Sequence, residues 1–141
     1  MISYWRSTLA LLFSVGTTLS CLGQTTTEQL GKLYVAGQLE AVIAQGKQEL
    51  AAHPEQPLVS MLIGRAYADK QQFQEAVPYL TKSLNDARTP TDEKAWSKAY
   101  LGTCYYGLQQ YPEARKALEE VVTQAATKNV TSYARQRLPL N

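Results

Sequence analysis

The sequence predicts an all-α chain in which helix pairs stack one on another as an α-solenoid. Three observations carry this. A set of Gly, Tyr, a second aromatic, Ala and Leu occurs twice at the same offsets. No stretch alternates apolar and polar residues with the period of two that a half-buried strand needs. Gly and Pro stand singly between apolar-periodic segments, as punctuation. The 141 residues are enough for one domain.

The repeated unit opens on Ile63-Gly64-Arg65-Ala66-Tyr67, followed by Phe73-Gln74-Glu75-Ala76-Val77-Pro78-Tyr79-Leu80. It returns as Leu101-Gly102-Thr103-Cys104-Tyr105, followed by Tyr111-Pro112-Glu113-Ala114-Arg115-Lys116-Ala117-Leu118. Counted from each Gly, Tyr falls at +3, an aromatic at +9, Ala at +12 and Leu at +16. The first interval is one turn of a first helix, and Ala and Leu are one turn apart on a second. Gln71-Gln72 and Gln109-Gln110 fall at the reversal between them. A Gly facing an Ala lets the two backbones approach closely, with aromatics and Leu filling the flanks. Such a pair keeps an apolar face that only a neighbouring pair can cover.

These offsets resemble the tetratricopeptide repeat, a helix–turn–helix unit of about 34 residues. Ile63, Gly64, Tyr67, Phe73 and Ala76 match its positions, as do Leu101, Gly102, Tyr105, Tyr111 and Ala114. The closing Pro of the pattern is absent, with Arg88 and Ala126 in its place. Gly64 to Gly102 is 38 residues, so an insertion falls in Asp86–Asp92. A fainter first copy begins at Leu30-Gly31 with Tyr34. Leu39, Val42 and Pro54 follow if one residue is deleted before Gly37, and Gly46 stands where a large apolar residue is usual. The resemblance implies a right-handed α-solenoid with units at about 26–56, 57–90 and 93–127, closed by a capping helix at about 131–138, all within one domain spanning 24–141.

Element by element, Thr27 is placed to cap a helix running to Val35, which Gly37 ends. Leu39 to Ala52 is the second helix. His53-Pro54-Glu55-Gln56 breaks the chain, and Pro57 suits the first turn of the third helix, to about Lys70. The fourth runs from Phe73 to about Asn85 with Pro78 inside it, near the limit of the turn whose N–H groups are unpaired anyway. Thr89-Pro90 interrupts. Thr91 is expected to cap the fifth helix, with Asp92 and Glu93 at its positive end, and that helix runs to about Gly107. The sixth begins at Tyr111 and lasts until Asn129 breaks it. Thr131 to Leu138 forms the closing helix. Along the sixth, Arg115-Lys116 and Glu119-Glu120 suit i,i+4 ion pairs on a wet face.

Residues 1–23 read as a leader outside the domain. Arg6 precedes the apolar run Leu9–Val15, and Gly16–Gly23 is small and polar, in the order of a secretory signal peptide. The apolar run is far short of the ~20 residues that span a bilayer. Two readings of its end stay open. Cutting after Gly23 starts the mature chain at Gln24. Alternatively, Thr18-Leu19-Ser20-Cys21 resembles a bacterial lipoprotein box, in which Cys21 carries lipid; Thr18 and Leu19 depart from that pattern, whereas Ser20 and Cys21 fit it. The chain is accordingly expected to be exported, to the periplasm or beyond, and membrane-attached only if Cys21 is lipidated.

Chemistry-bearing groups are few, and no catalytic residue, metal site or cofactor is expected. His53, the sole histidine, lies in a turn without a second ligand at metal spacing. Cys104 reads as a small buried apolar residue, with no neighbouring base to lower its pKa. A Cys21–Cys104 disulfide requires Cys21 to survive processing. The formal charge of +2 lacks the clustered Lys and Arg of a nucleic-acid binder. Asn129-Val130-Thr131 matches a glycosylation acceptor by chance. Tyr34, Tyr67, Tyr105 and Tyr111 hold repeat positions and are expected in the core, while Trp96 and Tyr106 are off them.

What remains is implied by the family resemblance: a concave groove lined by the first helix of each pair, binding a peptide or helix of another protein. Carried over, its positions are Lys32, Arg65 and Thr103, each just after the motif Gly, with Met61, Ala68, Asp69, Ala99 and Tyr106. Lys32 and Arg65 there would meet an acidic or C-terminal carboxylate. The fuller Lys and Asn set of the family's carboxylate-clamping members is missing, since Ala99 and Thr103 do not supply it. Without a ligand, the same residues form a solvated inner wall.

Overall fold

The computed structural model describes residues 26–124 and 127–138. The leader, Cys21 and the cut after Gly23 lie outside the described residues. The described residues form seven helices in order: α1 (Thr26–Val35), α2 (Leu39–Ala52), α3 (Pro57–Asp69), α4 (Phe73–Asn85), α5 (Thr91–Gly107), α6 (Tyr111–Gln124) and α7 (Lys128–Arg137). The described residues contain no strand. Each helix packs on the next, and α1, α3, α5 and α7 also touch one another in sequence, whereas α2, α4 and α6 do not. The first helices therefore form a tight inner layer and the second helices fan out behind it, as stacked pairs in an α-solenoid require.

Within each pair the reversal has one chemistry used three times. Gly37, Gln71 and Gln109 have φ of 74°, 61° and 62°, the left-handed conformation that ends helices. In the second unit Gln72 N–H reaches Tyr67 O at 2.9 Å and Gln71 N–H reaches Ala68 O at 2.9 Å. Gln38 with Gly37, and Gln110 with Gln109, repeat both bonds. The next carbonyl then starts the second helix: Val42, Ala76 and Ala114 donate to Gln38, Gln72 and Gln110. This double bond to the last carbonyls satisfies groups that a helix end otherwise leaves open. Only the first unit uses the residue that adopts positive φ without penalty.

The motif glycines mark close approach. A Cβ on Gly64 would lie 2.6 Å from Leu80 Cγ and 3.1 Å from the Leu80 backbone nitrogen. One on Gly102 would lie 2.7 Å from Leu118 Cγ and 3.4 Å from the Ala114 carbonyl oxygen. Ala76 and Ala114 are fully buried, but the tightest neighbour is the Leu one turn further on. In the first unit Gly46 holds that Leu position, and Ile63 Cγ1 of the next unit occupies the space at 2.6 Å from where a Gly46 Cβ would be. The main core runs from Leu30 through Val42, Val59, Ile63 and Leu80 to Cys104. A second cluster of Ala99, Leu118, Val121, Val130 and Ala134 seats α7.

Several expectations are corrected. Thr27 lies inside α1, which begins at Thr26. Pro90, not Thr91, precedes α5, and no side chain caps it; Thr89 is buried instead, donating its hydroxyl to Ser83 O at 2.6 Å, so the insertion folds back onto the end of α4. Asn129 does not break α6. It sits in the first turn of α7, where its N–H needs no intrahelical partner, and α7 starts three residues earlier than expected and ends at Arg137. Pro78 lies beyond the first turn, since the ladder has already begun at Ala76. Glu120 reaches across to Lys98 of α5 at 2.7 Å in place of the expected pair with Lys116. Tyr67 is buried and Tyr34 and Tyr105 are half-buried, but Tyr111 is 51% exposed, edge-on to Tyr106 at 5.4 Å.

Candidate functional site

The inner layer gathers side chains from four helices into one cluster. On α3, Arg65 and Asp69 are one turn apart; on α5, Trp96, Tyr100 and Thr103 share a face at i, i+4 and i+7. Tyr34 of α1 meets the first stripe and Tyr133 of α7 meets the second, because successive first helices pack side by side.

The cluster centres on a cation among rings. The Arg65 guanidinium lies 4.6 Å from the Tyr34 ring centre, 5.0 Å from Tyr100 and 5.3 Å from Trp96, all within cation–π range. Tyr100 stacks on Tyr133 at 5.0 Å, and Trp96 meets Tyr133 edge-on at 5.4 Å. Arg137 closes the row 3.5 Å above Tyr133. A continuous row of rings with Arg65 set among them and Arg137 at its end thus crosses the inner face from α1 to α7.

Hydroxyls link the same groups. Tyr34 O–H donates to Asp69 Oδ2, and its oxygen is 2.9 Å from the Tyr100 hydroxyl. Thr103 Oγ1 is 3.1 Å from the Tyr133 hydroxyl. Burial raises the phenol pKa of Tyr34, and the hydrogen bond to Asp69 raises it further. Burial likewise raises that of Tyr133. Both phenols therefore stay neutral at ordinary pH.

Charge is left over. Arg65 makes no ion pair within 4 Å among the described residues, and its Nε is buried without a hydrogen-bond partner. Asp69, the acid one turn away, is engaged by Tyr34 instead.

Of the eight positions carried over from the repeat pattern, Arg65, Asp69 and Thr103 meet here. Lys32 is exposed and pairs with Glu28 at 3.3 Å, outside the ring cluster around Arg65. Tyr106 stands at the edge with Tyr111. Met61, Ala68 and Ala99 are 4%, 5% and 0% exposed; they pack helix against helix and have no side-chain surface to give a ligand. Sequence reasoning passed over Trp96, Tyr100 and Tyr133 as wall residues and assigned Tyr34 to the core. The spacing of Trp96, Tyr100 and Thr103 was a legible signal of one face. Tyr133 had none, because its role depends on where α7 docks.

Elsewhere the described surface holds little chemistry. His53 is exposed at the end of α2, its backbone N–H bonded to Glu49 O. Cys104 is a buried free thiol whose pKa burial pushes up to about 12, with the charge of Asp69 adding to the effect. Shallow clefts run along α6, one lined by Leu84, Ala95, Lys98, Glu120 and Val121. No described helix is long and apolar enough to cross a membrane.

No curated protein matches the chain. The tetratricopeptide repeat family model matches residues 56–126, which takes in α3 to α6, the two units where the Gly–Leu contact and the left-handed Gln turn are both present. Sequence pattern, paired-helix packing and this match agree, and the chain belongs to the tetratricopeptide repeat family.

Proposed function

We propose that the chain is a non-catalytic adaptor that holds a segment of another protein against the inner face of α1, α3, α5 and α7. Repeats of this family generally mediate protein–protein interaction. The observation that carries the reading is the cluster of Tyr34, Arg65, Trp96, Tyr100 and Tyr133. Tyr, Trp and Arg dominate binding energy in protein interfaces because they combine large contact area with directed polar groups. Packing among themselves holds these side chains in place before a partner arrives, which lowers the ordering cost of binding.

The partner is an exported or envelope protein, a reading supported by the charged start, short apolar run and small-residue end of residues 1–23. Intact mass of the exported protein separates a start at Gln24 from a lipidated Cys21.

Photo-cross-linking tests the groove. A photoreactive residue replacing Asp69 on the inner face captures a protein partner from native envelope extracts, and the same residue replacing Gln74 on the outer helix α4 does not. Equal capture from both positions, or capture from Gln74 alone, refutes the assignment.

A further inference from the structure

We infer that Arg65 is a receptor for a carboxylate carried by the partner segment. This rests on the inner-face reading above and names the chemistry at its centre. Four observations converge on it. The guanidinium is walled by Tyr34, Tyr100 and Trp96, which restrain its orientation. Its charge has no carboxylate within 4 Å among the described residues, and Nε is buried without an acceptor. Asp69, the acid placed by helix geometry to neutralise it, is held by the Tyr34 hydroxyl instead. Arg65 nonetheless keeps part of its surface open.

A half-buried cation facing only rings and hydroxyls has lost water without gaining a counter-charge, and a bound anion recovers that loss. A planar fork of N–H donors matches a carboxylate, which accepts two parallel charge-assisted bonds. The rings around it offer contact to the apolar part of the same residue. The Tyr34 hydroxyl gives its proton to Asp69 and accepts from Tyr100 at 2.9 Å, so these hydroxyls wall the rim and the donors to the carboxylate are those of Arg65. Lys32, occupied by Glu28 in solvent, is not part of the receptor.

Trp96 is the natural reporter, because its ring is 5.3 Å from the Arg65 guanidinium carbon. The full chain carrying Trp5→Phe leaves it as the sole indole. That protein is titrated with sodium propionate and, at matched ionic strength, with propionamide, the uncharged analogue of the same size. Propionate is expected to give a saturable change in Trp96 fluorescence and propionamide none. Arg65→Gln weakens the propionate response about ten-fold or more, the effect of losing charge-assisted bonds, and Arg65→Lys keeps part of it. Asp69→Asn, which keeps an acceptor for Tyr34 and removes the competing negative charge, tightens the response at least two-fold. This second variant tests the site even where Arg65→Gln perturbs folding, which far-UV circular dichroism monitors.

Equal responses to acid and amide overturn the inference, as does the absence of any propionate response. A propionate response unchanged in a folded Arg65→Gln protein overturns it, and so does a response unchanged or weakened in Asp69→Asn. Failure here with intact capture from position 69 leaves the adaptor reading standing and removes only its carboxylate. Failure of capture with a positive titration does the reverse.

Discussion

Replacing each motif Gly by Ala should have opposite signs in different units of the same repeat. Ala is favoured over Gly within a helix by about 1 kcal/mol. At Gly31 no described atom lies within 4 Å of the added Cβ, so that gain is realised and Gly31→Ala stabilises by about 1 kcal/mol. At Gly64 the Cβ would lie 2.6 and 2.9 Å from Leu80 side-chain carbons and 3.1 Å from its backbone nitrogen. The Leu80 side chain is fully buried in the core, and its backbone nitrogen moves only with α4. Overpacking of this kind costs about 1–3 kcal/mol. The upper part of that range, offset by propensity, leaves Gly64→Ala about 1–2 kcal/mol less stable. Gly102→Ala is milder, since its nearest backbone atom is 3.4 Å away. The Gly31 and Gly64 variants should thus differ by about 2–3 kcal/mol, roughly 30- to 150-fold in the folding constant. Urea titrations followed by circular dichroism, with slopes compared so that only midpoint shifts are read as stability, measure this. Leu80→Ala added to Gly64→Ala should cost less than the two changes summed, because it removes the obstructing atoms. A stabilised Gly64→Ala, a Gly31→Ala as damaging as Gly64→Ala, or simple additivity with Leu80→Ala would refute the packing account.

Other outcomes follow from single residues. Gln71→Gly and Gln109→Gly each remove a left-handed penalty of about 1–2 kcal/mol against a smaller entropy cost in the unfolded chain; each should raise the urea midpoint, whereas Gly37→Ala lowers it. Pro78→Ala restores a backbone donor inside α4 at an exposed position and should stabilise by about 2 kcal/mol in the same assay, the interior proline cost less its benefit in the unfolded state. Asp86 is held down to about 2 chiefly by the side-chain hydrogen bond from Arg88. Its folded pKa is below its ordinary 3.8, so its stabilisation is present above that value and fades as pH falls from about 4 to 2. Asp86→Asn should flatten the stability profile in that window, read from urea midpoints across pH. Cys104, buried with its thiol raised to about 12, should resist alkylation by iodoacetamide at pH 8 until urea unfolds the chain, as peptide mass mapping would report.

Local signals were enough for the helices. Offsets of 3, 9, 12 and 16 from Gly64 and Gly102 placed the reversals and the pairing, because helix spacing and tight backbone approach leave a mark in residue size along the chain itself. Pro57, Gly37 and the His53–Gln56 break marked boundaries for the same reason, since Pro57 and Pro54 fix their own φ and lack a donor, and Gly37 takes the positive φ of a helix end without penalty. The end of α6 and the start of α7 left a weaker mark. Asn129 is a helix breaker only in an interior position, and in a first turn it is tolerated.

The site was a different matter. Arg65 could be placed on the inner wall from its position after Gly64, but not its three rings, its missing counter-ion or the loss of Asp69 to Tyr34. Those depend on side chains 31 to 35 positions away, on α1 and α5, and on the angle at which one pair sits on the next. Met61, Ala68 and Ala99 show the same limit from the other side. Their positions pointed to the groove, and only the packing of neighbouring helices decided that they were covered. Residue spacing specifies which face of its own helix a side chain occupies; what stands opposite that face is specified by how the helices stack.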